Sequence, residues 1–180
     1  DYCVTLSLTQ IPGIYAVRIT VDGEELPHRD TQIFRPSDVL LSSEEDVVRS
    51  LDVVLYFPEA SSQQLLARQK TLTLYEGESA MGVLMEALQA GPEEDGLLPL
   101  LPDGFHVLTV RLAEDGVCHL NLPAADLELL PEGESAQLRM FRGIVRSLCS
   151  LDEVTSVQVL VDGEMRTSFG TVDISQPLRP

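Results

Sequence analysis

The sequence predicts an α+β fold: a mainly antiparallel sheet covered on one face by two helices, with elements in the order β-β-α-β-β-α-β. Three observations carry this. Short runs of alternating apolar and polar residues, bounded by Gly and Pro, mark half-buried strands. Two longer stretches, each opened by Gly-Glu-Ser, repeat their apolar residues at helical spacing. Helices and strands then follow one another in the mixed order of an α+β sheet.

Residues 2–9 predict the last turns of a helix ending near Gln10, because Pro12 lacks an amide donor and Gly13 accepts unusual dihedrals. Within 14–21, Val17, Ile19 and Val21 alternate with Arg18 and Thr20, giving a strand that Asp22-Gly23 closes with a tight turn. The Pro-, Asp- and Ser-rich text from about 25 to 50 predicts a turn, a short edge strand and a linker. Regular structure is expected to resume with "DVVLYFP" (Asp52–Pro58), β-branched and aromatic and stopped by proline. "KTLTLYE" (Lys70–Glu76) is a second strand, with Leu72 and Leu74 on one face. Ser79 then caps a helix whose stripe is Ala80, Val83, Leu84, Ala87 and Leu88, ended by Gly91-Pro92. "FHVLTVRL" and "GVCHLNLP" form a hairpin through Glu114-Asp115-Gly116, with Leu108, Val110, Leu112, Cys118, Leu120 and Leu122 expected inward. The second helix opens at Gly133-Glu134-Ser135 and buries Leu138, Phe141, Ile144, Val145 and Leu148. A turn at Asp152-Glu153, a strand and a final short strand in "GTVDIS" complete the chain.

The segment Ser7–Glu24 repeats as Ser147–Glu164 at a constant offset of 140 positions. Ser7, Leu8, Val17, Val21, Asp22, Gly23 and Glu24 recur identically, and Ile11/Leu151, Ile14/Val154 and Ile19/Val159 are conservative pairs. So long a period means domain duplication and not a solenoid. The expected organisation is residues 1–36 as the closing part of a first repeat, 37–51 as a linker and 52–180 as a complete domain. Half a unit cannot bury its own apolar stripe, so the first copy is expected either to be completed by chain lying ahead of Asp1 or to pack on a neighbouring chain.

With 180 residues, 44% of them hydrophobic, the chain has ample material for a core. A formal charge of −17 repels a phosphate backbone and excludes nucleic acid as a partner. It also opposes electrostatic docking on an anionic membrane, and no apolar run approaches the roughly 20 residues of a spanning helix. Membrane attachment is expected only through a lipid anchor outside this segment. Cys3, Cys118 and Cys149 are widely spaced and lack a C-x-x-C pattern, so they read as small core residues.

Several short motifs in the second unit are together specific in their order and spacing. They are "LYFP" (Leu55–Pro58), Arg68 ahead of the second strand, "AGP" (Ala90–Pro92), "PDG" (Pro102–Gly104), Asp115-Gly116, "LNL" (Leu120–Leu122) and "VQVLVDG" (Val157–Gly163). On these the chain resembles the GerM-type sporulation and spore germination domain family (GerMN), as a tandem-domain member. The match covers about residues 52–175, with a partial copy over 1–36 whose "SLTQIPGI" is the closer to the family form. "SLCSLDEV" (Ser147–Val154) departs from it by lacking the Pro-Gly turn. The resemblance implies a non-enzymatic, extracytoplasmic lipoprotein of a Gram-positive spore former. It further implies an assembly or adaptor module for protein partners in the sporulation envelope, or for further copies of itself.

No catalytic, cofactor-binding or metal-binding residues are expected. His28, His106 and His119 lack a nucleophile context or metal-ligand spacing, although the last two could be neighbours across the hairpin. The acids Glu44-Glu45-Asp46, Glu93-Glu94-Asp95 and Glu114-Asp115 crowd in turns, where carboxylates are ordinarily solvated, and only weak cation binding fits the Glu93–Asp95 loop. Against this acidic background Arg139, Arg142 and Arg146 lie at i, i+3 and i+7 on the second helix. The plain expectation is a solvated face paired locally with Glu132 or Glu134. The sharper one is a docking surface for an acidic partner or a second copy. A cell-wall polysaccharide or peptidoglycan binder is the alternative function, but such a site favours aromatic platforms, and the chain has no Trp and only 5% aromatic residues.

Overall fold

A computed structural model describes residues 2–11, 13–21, 23–25, 33–35, 47–75 and 77–180. The chain divides into two compact units, Asp1–Asp46 and Val47–Pro180.

In the first unit, helix α1 (Tyr2–Leu8) forms as predicted and ends at Leu8, just short of Gln10. The expected strand over 14–21 is broken at Ile19 into β1 (Val17–Arg18) and β2 (Thr20–Val21). Each half has its own antiparallel partner: β1 pairs with β4 (Ile33–Phe34), and β2 with β3 (Glu24–Glu25). The β1–β4 pairing buries Val17 against the short edge strand that carries Phe34. Pro12, Asp22 and residues 37–46 of the expected linker lie outside the described residues.

The second unit opens on a long antiparallel hairpin, β5 (Val47–Pro58) with β6 (Leu65–Tyr75). Strand β5 starts at Val47, not Asp52, so residues 47–51 belong to it and not to a linker. Strand β6 starts at Leu65, not Lys70, because pairing continues through the polar residues Arg68 and Gln69 up to Pro58↔Leu65. Val53, Leu55 and Phe57 from β5 and Leu72 and Leu74 from β6 are buried. Helix α2 (Ala80–Ala90) is capped as expected, the Ser79 hydroxyl accepting from the Gly82 amide at 3.0 Å. Its buried face holds Met81 and Met85 as well as Ala80, Leu84 and Leu88, while Val83 and Ala87 are half-buried. Gly91 ends it at φ +80°, a conformation glycine adopts without steric cost.

Strands β7 (Thr109–Leu112) and β8 (Val117–Leu122) form the predicted hairpin, and β9 (Ser156–Val161) adds to β8 in parallel. A parallel neighbour needs a crossover, here made by a 3-10 helix (Ala124–Leu129) and helix α3 (Glu134–Leu148). Among the described residues the strands therefore pair as β5–β6 and β7–β8–β9, mainly antiparallel, with two helices against them. Cys118, Leu120 and Leu122 are fully buried as expected, but Leu108 and Leu112 are 48% and 38% exposed and Val110 is half-buried. Those three lie on the same side, yet among the described residues β7 is an edge strand with a neighbouring strand on one side only. In place of one final strand the chain makes a small hairpin, β10 (Ser168–Phe169) with β11 (Val172–Asp173). Phe169 meets Phe141 of α3 edge-on at 6.1 Å, and Gln137 accepts from both the amide and hydroxyl of Thr171 at 2.8 Å.

Helix α3 binds the two strand groups together. Phe141, Ile144, Val145 and Leu148 are buried as predicted, joined by Met140, and Leu138 is half-buried. The side of β5 away from β6 meets α3: the Tyr56 amide donates to Ser147 Oγ at 3.0 Å, and the Val54 amide to Ser150 Oγ at 3.1 Å. Further along that edge, Pro58 and Ala60 are bonded by the backbone of Leu98 and Gly96 at 2.8 Å.

The sequence repeat is also a repeat of hydrogen bonds. The Ile11 amide donates to the Leu8 carbonyl at 3.1 Å and that of Ile14 to Ile11 at 3.1 Å; in the second unit Leu151 donates to Leu148 at 3.1 Å and Val154 to Leu151 at 3.0 Å. Gly23 and Gly163 take φ +85° and +83° in the two "VDGE" turns.

Ser147 is fully buried, so Ser147→Ala strips the Tyr56 amide of its acceptor without leaving room for water. The expected cost is about 1–3 kcal/mol, read as a lower urea midpoint with unchanged m, and the more exposed Ser79→Ala should cost about 1 kcal/mol.

Candidate functional site

The site is built on the outward side of α3. Arg139 is half-buried, and Arg142 and Arg146 are exposed. With Ser135 and Leu138 they form one wall of a groove of about 420 Å³, whose other wall is Gln63, Gln64 and Leu65 at the tip of the β5–β6 hairpin. The Arg146 guanidinium lies 5.8 Å from the centre of the Tyr56 ring, within cation–π range. The structure thus brings all three predicted residues to one groove. The plainly expected local pairs do not form: among the described residues, no acid lies within ion-pair distance of any of the three arginines. Helix geometry explains this. Glu134 is the one acid in the first turn, and a separation of five residues from Arg139 falls outside the i+3 and i+4 positions that face each other. The groove presents guanidinium donors beside amide side chains, a chemistry that suits carboxylates.

A second constellation was only half visible in the sequence. Arg68, expected ahead of its strand, lies inside β6, and the register puts it and Lys70 on the core-facing side, opposite Leu55 and Val53. Glu94 and Glu93 reach across to them at 2.7 and 2.6 Å, so the acids expected to be free in a turn serve as counter-ions. Hydrogen bonding and charge from Lys70 hold the Glu93 carboxyl below its usual range. This contribution is therefore present above the ordinary carboxylate pKa and disappears only as pH falls through the lowered one. Between the strand and the loop lies a cavity of about 140 Å³ lined by Leu55, Phe57, Leu97 and Pro92.

The two hairpin histidines are not neighbours. His119 sits opposite Arg111, while the His106 backbone amide donates to the buried Asp126 carboxylate at 2.5 Å, with the ring Nδ1 3.4 Å from its other oxygen. Asp126 escaped sequence reasoning because its role is to tie down a loop 20 residues away. Among the described residues no group of three or more His, Cys, Asp or Glu side chains converges as metal ligands would. His28 lies outside the described residues.

The profile of the Germane family, described as "Sporulation and spore germination", matches residues 54–167. The chain belongs to this family. Among solved structures, the first GerMN domain of the sporulation protein GerM from Bacillus subtilis aligns at 20% identity over 72% of this chain and 97% of that chain, with a TM-score of 0.58. The tandem GerMN domains of the same protein align at 18% identity over 99% of this chain and 66% of that chain, with a TM-score of 0.55. At these identities the likeness is one of fold. No curated protein matches the chain significantly in sequence. The GerMN landmarks have physical work in the 47–180 unit: Asn121 of "LNL" accepts from the amide of Gly163 of "VDG" at 2.7 Å, and the Ala124 amide donates to Asp162 at 3.2 Å, locking the ends of β8 and β9 together.

Of the three predicted core cysteines, Cys118 is fully buried and Cys149 half-buried, while the side chain of Cys3 lies outside the described ones. Burial, reinforced by Cys149, pushes the Cys118 thiol up to about 12, so it stays protonated at neutral pH. Alkylation at pH 8 should leave Cys118 unmodified in the native chain and label it only as fast as the unit opens in rising urea. Labelling as fast as a free thiol would contradict its placement.

Proposed function

We propose that this GerMN-family chain works by contact and not by turnover, as a protein–protein assembly or adaptor module of sporulation or spore germination. It would act outside the cytoplasmic membrane, held there by a lipid anchor beyond the segment 1–180, with Arg139, Arg142 and Arg146 docking an acidic protein partner. Residues 1–36 would be the closing part of a first repeat beside the complete domain. The observation that supports the docking surface most directly is three guanidinium groups on one groove without an acidic partner among the described residues, in a chain of net charge −17. Twenty-nine Asp and Glu residues were available to neutralise them locally, yet the helix spacing keeps its own acid out of reach. The net charge repels an acidic partner at long range, but screening confines that repulsion to about 8 Å at physiological salt, so only a partner with carboxylates placed at the groove gains on contact.

The test uses a glutamate-rich peptide as probe. Substituting Arg139, Arg142 and Arg146 together by Ala should weaken binding about tenfold or more at low salt, with melting temperature unchanged, and the difference should shrink at high salt. Equal binding by the two proteins would reject the groove as the docking surface. Palmitate labelling of the protein in sporulating cells should report the anchor, and its recovery as a cytoplasmic protein would reject the location.

A further inference from the structure

Strand β5 is covered on both sides, by β6 on one and by Ser147, Ser150 and the 96–98 loop on the other. Strand β6 is not. The amides of Val54 and Tyr56 point to α3, so Val54↔Gln69 and Tyr56↔Ala67 are narrow, non-bonded pairs of the ladder. By the same alternation the backbone amides of Ala67, Gln69, Thr71 and Thr73 point away from β5. No acceptor meets them among the described residues, and their side chains are exposed. At the far end the Tyr75 amide is closed off by Glu78 at 2.9 Å, and Arg68 folds back onto the Ala67 carbonyl at 2.9 Å. What remains is a row of donors and acceptors recurring about every 7 Å, a spacing that an extended backbone matches. Beside it lies the cavity of about 140 Å³, bordered by Arg68, Gln69 and Lys70 and by Gly91 to Glu94.

We propose that the outer edge of β6, over Ala67–Thr73, is a strand-addition site for an extended segment of a partner protein that turns an uncharged apolar side chain toward this cavity. Main-chain bonds would supply affinity and the cavity specificity, as in other cases of strand addition. A second copy of β6 offers this edge no charge complement, and each copy carries a net charge of −17. An antiparallel pairing centred on Gln69 sets Arg68 against Lys70 of the other copy, and centring on Arg68 or Lys70 sets like against like. Because Arg68 and Lys70 are already held by Glu94 and Glu93, a charged side chain at the cavity finds no free counter-ion, whereas an apolar one gains contact with Leu55, Phe57 and Leu97. This site is separate from the α3 groove, and its failure would leave the arginine reading untouched.

The experiment follows backbone amides of the full chain by NMR while adding a capped seven-residue peptide that alternates threonine and valine. Saturable shifts at Ala67, Gln69, Thr71 and Thr73, with little change at the inward amides of Arg68, Lys70 and Leu72, are expected. Gln69→Pro should weaken binding at least about tenfold by deleting a central donor, with its unfolding midpoint measured alongside. Methylating alternate peptide nitrogens should abolish binding without altering the protein. Equal binding of the methylated peptide, an unperturbed edge, or slow hydrogen exchange at the four outward amides before any peptide is added would each overturn the proposal. Concentration-dependent shifts of the same amides without peptide would replace the partner by a second copy.

Discussion

Strand β5 pairs with β6 along one side only, and on its other side the amides of Val54 and Tyr56 face the protein, where an unpaired N–H is costly. Ser150 and Ser147 supply the acceptors. This fixes the rotation of α3: once Ser147 faces the β5 edge, Phe141, Ile144, Val145 and Leu148 are directed into the core and Gln137 toward the β10–β11 turn. Arg139, Arg142 and Arg146 are then left on the side that borders the hairpin tip. The core, the strand edge and the candidate surface are thus settled by one helix orientation.

What was legible in the sequence is what short-range chemistry decides. Ser79 capping, Gly91 stopping α2 and Asp115-Gly116 turning the hairpin each depend on neighbours a few residues away, and all three hold. The start of β6 was hidden because Arg68 and Lys70 stand where alternation calls for apolar residues, and the acids that make this tolerable lie 26 and 23 residues further on. The exposed Leu108 and Leu112 were misjudged because periodicity reports a face but not whether that face is at an edge. Parallel pairing of β8 with β9 depends on the crossover through α3, which no local pattern encodes. The arginine stripe was readable from helical spacing; its lack of counter-ions among the described residues depended on the positions of every nearby acid.

The two groups of cations show how differently one charge type can be used. Arg68 and Lys70 each have 35% exposed side chains, whereas their partners Glu94 and Glu93 are 59% and 81% exposed. A cation drawn toward an apolar surface needs an anion, and a flexible acid at the rim provides it at little desolvation cost. The α3 arginines extend into a wet groove, so hydration can stand in for an anion until one arrives. One pair of cations is thus matched within the unit by acids at the rim, and the other group is matched only by solvent among the described residues.

Turn geometry accounts for part of the repeated sequence. Asp162 and Gly163 both take positive φ, +51° and +83°, as a tight hairpin turn requires, and few residue pairs besides Asp-Gly and Asn-Gly accept that. Recurrence of "VDGE" could therefore arise twice from the same backbone constraint. Ser7 and Ser147 match in sequence but differ in their surroundings. In the second unit serine is demanded by the Tyr56 amide, whereas Ser7 in the first unit is exposed. The helix-end hydrogen bonds recur at the matched positions, but one hydroxyl answers the demand of a buried amide while the other faces solvent, so the shared serine does not follow from a shared packing need.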